Sequence, residues 1–115
     1  MPHLVLDFSE DLASTHDIPA LLNAIHNTAR DTGLFTPSAI KSRAKPYPFY
    51  RIGDMNESAK FLHLTVFLLK GRTDKEKYQF SQLMCRTLSE LIDIPGSISV
   101  DVRDLDEEVY SKRLP

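Results

Sequence analysis

Residues 61–76 read FLHLTVFLLKGRTDKE, and the fold turns on how that stretch divides. Its first part is apolar on both sides of a two-residue alternation. Leu62, Leu64, Val66 and Leu68 lie on one side, with Phe61, Phe67 and Leu69 on the other. A short run of this kind fits a strand covered on both faces. With a histidine and a threonine inside it, the run is too short and too polar for a membrane helix. Thr73 and Glu76 then stand at capping-box spacing, where each satisfies a free N–H of the other at a helix start. The helix predicted from there carries Phe80, Leu83, Met84, Leu88, Leu91 and Ile92 as its apolar stripe, and IPG at 94–96 ends it. SISVDVRD follows as a strand with Ile98, Val100 and Val102 on one face.

The same order stands in the first half. Leu4, Leu6 and Phe8 alternate with His3, Val5 and Asp7, which predicts a strand over residues 2–8. Asp17 caps a predicted helix whose apolar positions are Ile18, Leu21, Leu22, Ile25 and Ala29, with Gly33 just past its end. Pro19 costs little in a first turn. The stretch AIKSRAKPYPFYRIG is then strand-like until Pro46 and Pro48, beyond which an irregular edge or loop is expected. The two helix caps, Asp17 and Thr73, are 56 residues apart, and the strands that follow begin 59 apart, near Ser38 and Ser97. That is a duplicated βαβ unit.

Two such units predict an α+β fold: one domain over residues 1–115, with halves at about 2–45 and 61–103. They form a four-stranded mixed sheet, and right-handed crossovers place both helices on one face. The third strand is apolar on both sides, so the other face needs a cover, and no segment remains to supply it. Other subunits in a small closed assembly are expected to do so.

Composition is that of an ordinary globular chain, with 42% hydrophobic residues, 26% charged residues and a net charge of -2, giving no broad electrostatic footprint for nucleic acid or an acidic membrane. No secretory signal is evident at the amino terminus, so a cytoplasmic location is expected. Cys85 is the one cysteine and lies within a helical pattern, where packing is the simpler role. His16 and His26 have no metal-ligand spacing to Cys85 or a carboxylate, so no metal site is expected.

Pro2 directly follows Met1. In a sheet, proline is tolerated at a strand's first residue, which alone accounts for it. Removal of Met1 would give it a second capacity, a free secondary amine at the chain end. An α-amine has an unperturbed pKa of about 7.7–8.0, and burial or nearby cations lower it toward the range of a base working near neutrality. Lys41, Arg43 and Arg72 are the candidate cations, Lys41 and Arg43 sharing one face of the second strand by alternation. Arg72 stands just ahead of a helix N-terminus, where free N–H groups also favour an anion.

PH at residues 2–3, TGLF at 32–35, IKSR at 40–43, LHLTV at 62–66 and KGRT at 70–73, in this order, resemble the tautomerase superfamily with an amino-terminal proline. The likeness spans nearly the whole chain and is closest to the 5-carboxymethyl-2-hydroxymuconate isomerase family. It implies a homotrimer, with no cofactor, that moves a proton along a conjugated enol or keto dicarboxylate during breakdown of an aromatic acid. By the same resemblance Pro2 is the general base, Arg72 binds a carboxylate, and Lys41 and Arg43 assist. Lys41 departs from the family's I-R-S-R pattern, and lysine lacks the two-pronged hydrogen bonding of a guanidinium. The alternative is a catalytically silent trimeric protein that keeps the scaffold and an anion pocket. His3 and His63 are read as hydrogen-bonded core or interface residues, and the acidic run 104–108 with the SKRLP tail as a solvated terminus.

Overall fold

The computed structural model describes residues 1–113. Strand β1 (His3–Ser9) buries Leu4, Leu6 and Phe8 and gives way to a 3₁₀ turn at Glu10–Ser14, whose Leu12 is also buried. Helix α1 (Ile18–Asp31) begins where the Asp17 side chain accepts from the Ala20 amide at 3.1 Å. Its Leu21, Ile25 and Ala29 enter the core, with Ile18 and Leu22 partly covered beside them. A second 3₁₀ turn, Pro37–Ala39, leads into β2 (Lys41–Tyr47). After a loop over residues 48–59 come β3 (Lys60–Leu68), α2 (Asp74–Leu91) and β4 (Gly96–Asp104).

The strand order is β2-β1-β3-β4. Strands β1 and β2 are parallel, as are β3 and β4, and β1 joins β3 antiparallel. Each βαβ unit is thus a parallel pair, and the two units meet along the central antiparallel seam. Both helices pack on the same face, α2 against β4, α1 against β2, and the helices against each other. One core cluster draws on both halves, with Leu4, Leu6, Leu62, Leu64 and Val66 from the sheet meeting Ile25, Met84 and Leu88 from the helices. Each such side chain contributes about 1.5–3 kcal/mol by leaving water.

Three details differ from the sequence reading. Strand β2 does not stop before Pro46 but runs through it to Tyr47, pairing Phe8 with Pro46 and Ser9 with Tyr47. It is an edge strand, so the missing proline N–H faces no ladder. Leu91 is not part of the buried stripe: it is 50% exposed at the end of α2, and Ile92 fills the core in its place. The helix N-terminus beyond Arg72 is partly closed to an anion, because two of its amides are already taken. Glu76 accepts from the Thr73 amide at 2.9 Å and Thr73 Oγ1 accepts from the Glu76 amide at 3.1 Å, which completes the capping box.

Gly96 opens β4 with φ +135°, and a side chain there would meet the Lys60 carbonyl, so the start of the β3–β4 pairing requires glycine. The face away from the helices carries His3, Val5, Asp7, Phe61, His63, Thr65 and Phe67, none of them fully buried. Among the described residues, no helix is long and apolar enough to cross a membrane.

Candidate active site

Pro2 is fully buried at the entry to β1, and its carbonyl accepts from the Lys41 amide at 3.0 Å, which ties it to the first rung of the β1–β2 pair. With Met1 in place the Pro2 nitrogen is an amide, and the amine belongs to Met1. That amine donates to the Ala39 carbonyl at 3.2 Å. Lys41 Nζ donates to the same carbonyl at 3.0 Å, so one oxygen gathers two cationic groups at this end of the sheet. The Met1 amine is held below the ordinary α-amine value, first by burial and then by the charges of Lys112, Lys41 and Arg72. Desolvation and like charge act in the same direction, both disfavouring the protonated form.

The register explains why these groups meet. His3 pairs with Lys41 and Val5 with Arg43, so the Lys41 and Arg43 side chains leave the sheet on its open face beside His3. Arg43 Nη1 donates to His3 Nδ1 at 3.2 Å. Arg72 arrives from the β3–α2 connection. Its Nη2 donates to the Leu34 carbonyl, and its guanidinium carbon lies 4.9 Å from the centre of the Phe35 ring. Phe35 is buried and stacks edge-on against Phe80 at 5.5 Å, which fixes the platform under Arg72. Among the described residues none of Lys41, Arg43 and Arg72 forms an ion pair with a carboxylate. Cations held by carbonyls, a ring and an imidazole keep their charge available to an incoming anion.

The four sequence candidates therefore fall into two sets. Pro2, Lys41 and Arg72 converge on the amino terminus, whereas Arg43 acts on His3 and is not among the charges that lower the amine. Two residues near the site, Tyr110 and Lys112, were missed by the sequence reading, and His3 is hydrogen-bonded as that reading had it. His3 joins the site through Arg43, and its Nε2 lies 3.3 Å from the Tyr110 hydroxyl. Its pKa is lowered, first by burial and then by Arg43 and Lys41. Tyr110 stands between the acidic run and the SKRLP tail and is half-buried against His3, while Lys112 in that tail is exposed. Leu114 and Pro115, at the end of that tail, lie outside the described residues. No pattern before or after β4 announced this return. His26 and His63 are engaged elsewhere, by Ser42 at 2.7 Å and Ser99 at 2.6 Å. Among the described residues there is no cluster of three metal-ligating side chains.

Comparison with known proteins places this geometry. A curated Escherichia coli protein, 5-carboxymethyl-2-hydroxymuconate Delta-isomerase, is 24% identical over 84 residues, which cover 73% of this chain and 67% of that one. The crystal structure of a 5-carboxymethyl-2-hydroxymuconate isomerase from Deinococcus radiodurans R1 superposes with a TM-score of 0.87 at 22% identity, covering 97% of this chain and 88% of the other. A fused 4-OT described as a symmetric trimer has the same fold, with a TM-score of 0.70 at 18% identity, over 96% of this chain and 93% of that one. The 5-carboxymethyl-2-hydroxymuconate isomerase family description matches residues 2–113, so that the proline-led strand, both βαβ halves and the returning tail all fall within it. The chain belongs to that family, as a cofactor-independent isomerase of the tautomerase superfamily.

Proposed function

We propose that Met1 is removed and that the Pro2 nitrogen, then a secondary amine, is the general base of an isomerase acting on a conjugated enol or keto dicarboxylate. 5-Carboxymethyl-2-hydroxymuconate is the substrate that the family and the E. coli relative suggest. The observation that carries this reading is the crowding of positive groups at a buried chain end: Pro2 is fully buried, and the Met1 amine and Lys41 Nζ share the Ala39 carbonyl, surroundings that with Lys112 and Arg72 lower the amine there. Without Met1, Pro2 inherits the same buried, cationic surroundings. Each unit by which its pKa falls is about 1.4 kcal/mol of differential interaction, a modest demand on one or two nearby charges.

In the reaction the neutral amine takes a proton from one end of the conjugated system and returns it at another, and no group is gained or lost. Arg72 and Lys41 hold the carboxylates, and their charge stabilises the enolate that develops between the two proton transfers. Acid–base transfer of this kind contributes roughly 10²–10⁴-fold.

The open sheet face, with Phe61, Phe67 and Val5 only half-covered, is closed in this proposal by two further copies, as a homotrimer. The symmetric trimer among the related folds supports that arrangement.

Two measurements test the reading. Intact mass of the protein isolated from its own cells is expected to lack Met1. Pro2→Ala, which leaves a primary amine, is expected to lower turnover of ring-cleavage diacids, followed by ultraviolet absorbance, by at least about tenfold. Retained Met1 in most chains would remove Pro2 as the base and leave a silent anion-binding protein, whereas unaltered turnover in the variant would give the proton transfer to another group.

A further inference from the structure

The hydrogen bonds around His3 fix more than a side-chain position. A guanidinium has donors only, so the bond from Arg43 Nη1 to His3 Nδ1 requires a lone pair on Nδ1. The ring is therefore neutral with its proton on Nε2, and that N–H points at the Tyr110 oxygen 3.3 Å away. Burial and the surrounding positive charge also favour the neutral ring. With its oxygen accepting from His3, the Tyr110 hydroxyl has its own proton left to give. Among the described residues that hydroxyl has no other hydrogen-bond partner. A half-buried donor with an unused proton, at a cationic end of the sheet, is suited to an anionic oxygen.

The path of the chain shows how the residue gets there. The Leu105 amide donates to the Leu68 carbonyl at the end of the β3–β4 ladder. A turn then closes through the Glu108 amide on Asp106 Oδ1 at 3.1 Å and the Val109 amide on the Asp106 carbonyl at 3.2 Å. This sends the chain back over the start of β1. The Tyr110 ring meets the His3 ring edge-on, with centres 6.4 Å apart and planes at 73°, so packing and a hydrogen bond hold it together. Lys112, two residues on, lies near enough for its charge to act on the terminal amine.

We propose that Tyr110 is a further substrate-binding residue, its O–H donating to a negatively charged oxygen of the dicarboxylate, and that His3 is the positioning residue that links it to Arg43. The proposal rests on the isomerase reading above for the identity of the ligand. It adds a neutral donor to a site otherwise built of cations. Such a donor discriminates by direction, where the ammonium of Lys41 acts mainly as a point charge.

The test uses the Met1-free protein and two readouts. Tyr110→Phe keeps the ring against His3 and removes only the hydroxyl. It is expected to weaken binding of muconate, a conjugated diacid with no hydroxyl to tautomerise, by about tenfold in calorimetric titration, and to raise KM for the turned-over diacid similarly with little change in kcat. His3→Gln, whose amide can accept from Arg43 and donate to Tyr110, is expected to retain more of the affinity than His3→Leu, which does neither. A purely structural role for His3 would make the two variants alike.

Equal muconate affinity in wild type and Tyr110→Phe overturns the proposal, as does the absence of muconate binding by the wild type. The isomerase reading fails separately, on Met1 retained in most chains, so neither failure is mistaken for the other.

Discussion

The two ends of the sheet treat charge in opposite ways. At the end where β1 finishes and β3 begins, Lys60 pairs with Asp11 at 2.7 Å, and the Tyr50 hydroxyl donates to the other oxygen of the same carboxylate at 2.8 Å. A broad hollow of about 1000 Å³ opens there, lined by Glu10, Asp11, Tyr50, Arg51 and Glu57 among others. At the end where β1 begins, Lys41, Arg43 and Arg72 lean on carbonyls, an imidazole and a ring, and among the described residues they form no ion pair with a carboxylate. The hollow thus lies at the end where Lys60 is already paired with a carboxylate. The corner around Pro2 holds these three cations, outside any ion pair among the described residues, and is the end that suits an anion in the proposed reading.

The sharpest way to break this contrast is to block the amine. A protein that keeps Met1 ahead of Pro2 is expected to lose about 10²–10⁴-fold in turnover while its fold is unchanged, checked by stopped-flow absorbance beside circular dichroism. Next is Arg72→Ala, which removes a charged hydrogen-bond donor of about 1.5–3 kcal/mol and is expected to raise KM for the diacid by tenfold or more. An unchanged KM would show Arg72 to be only a brace for Leu34 and Phe35.

A pH effect is smaller and sharpens the role of His3. Its pKa is depressed below the ordinary 6.5, so as pH falls through that value the unfolded chain takes up a proton that the folded chain refuses. Thermal stability is therefore expected to fall from about pH 6.5 downward until the folded ring also protonates, and His3→Gln is expected to flatten part of that slope. The smallest effect belongs to the far end. Asp11→Asn weakens an exposed pair, and a slight loss of thermal stability with kcat/KM unchanged is expected. A large loss of activity there would reverse the assignment of the two ends.

Much of the architecture was legible because it is carried by local signals that survive folding. Asp17 and Thr73 cap the helices that their side chains predict, and the alternation of Leu62, Leu64 and Val66 becomes the covered face of β3. At Pro46 an edge and a loop both stayed open, because sequence alone shows a missing N–H but not whether the strand there is an edge. Leu91 misled because a helical stripe can outlast the core it faces. At the candidate site, Lys41, Arg43 and Arg72 were all named through resemblance, and strand alternation added only that Lys41 and Arg43 share a face. Tyr110 and His3 meet across more than a hundred residues, in a contact set by the turn at Asp106 and not by any periodic pattern. The capping box of α2 was visible as Thr73 and Glu76, and the structure makes both of its hydrogen bonds.

The claim on which the account depends is that a neutral Pro2 amine does the proton transfer. Nitrogen-15 NMR titration of proline-labelled, Met1-free protein, overlaid on the pH profile of kcat/KM, measures it most directly. The account predicts a Pro2 pKa below the ordinary α-amine range of about 7.7–8.0, coincident with the acid limb of activity. A Pro2 nitrogen that titrates at or above that range, or an acid limb that ignores it, would contradict the account.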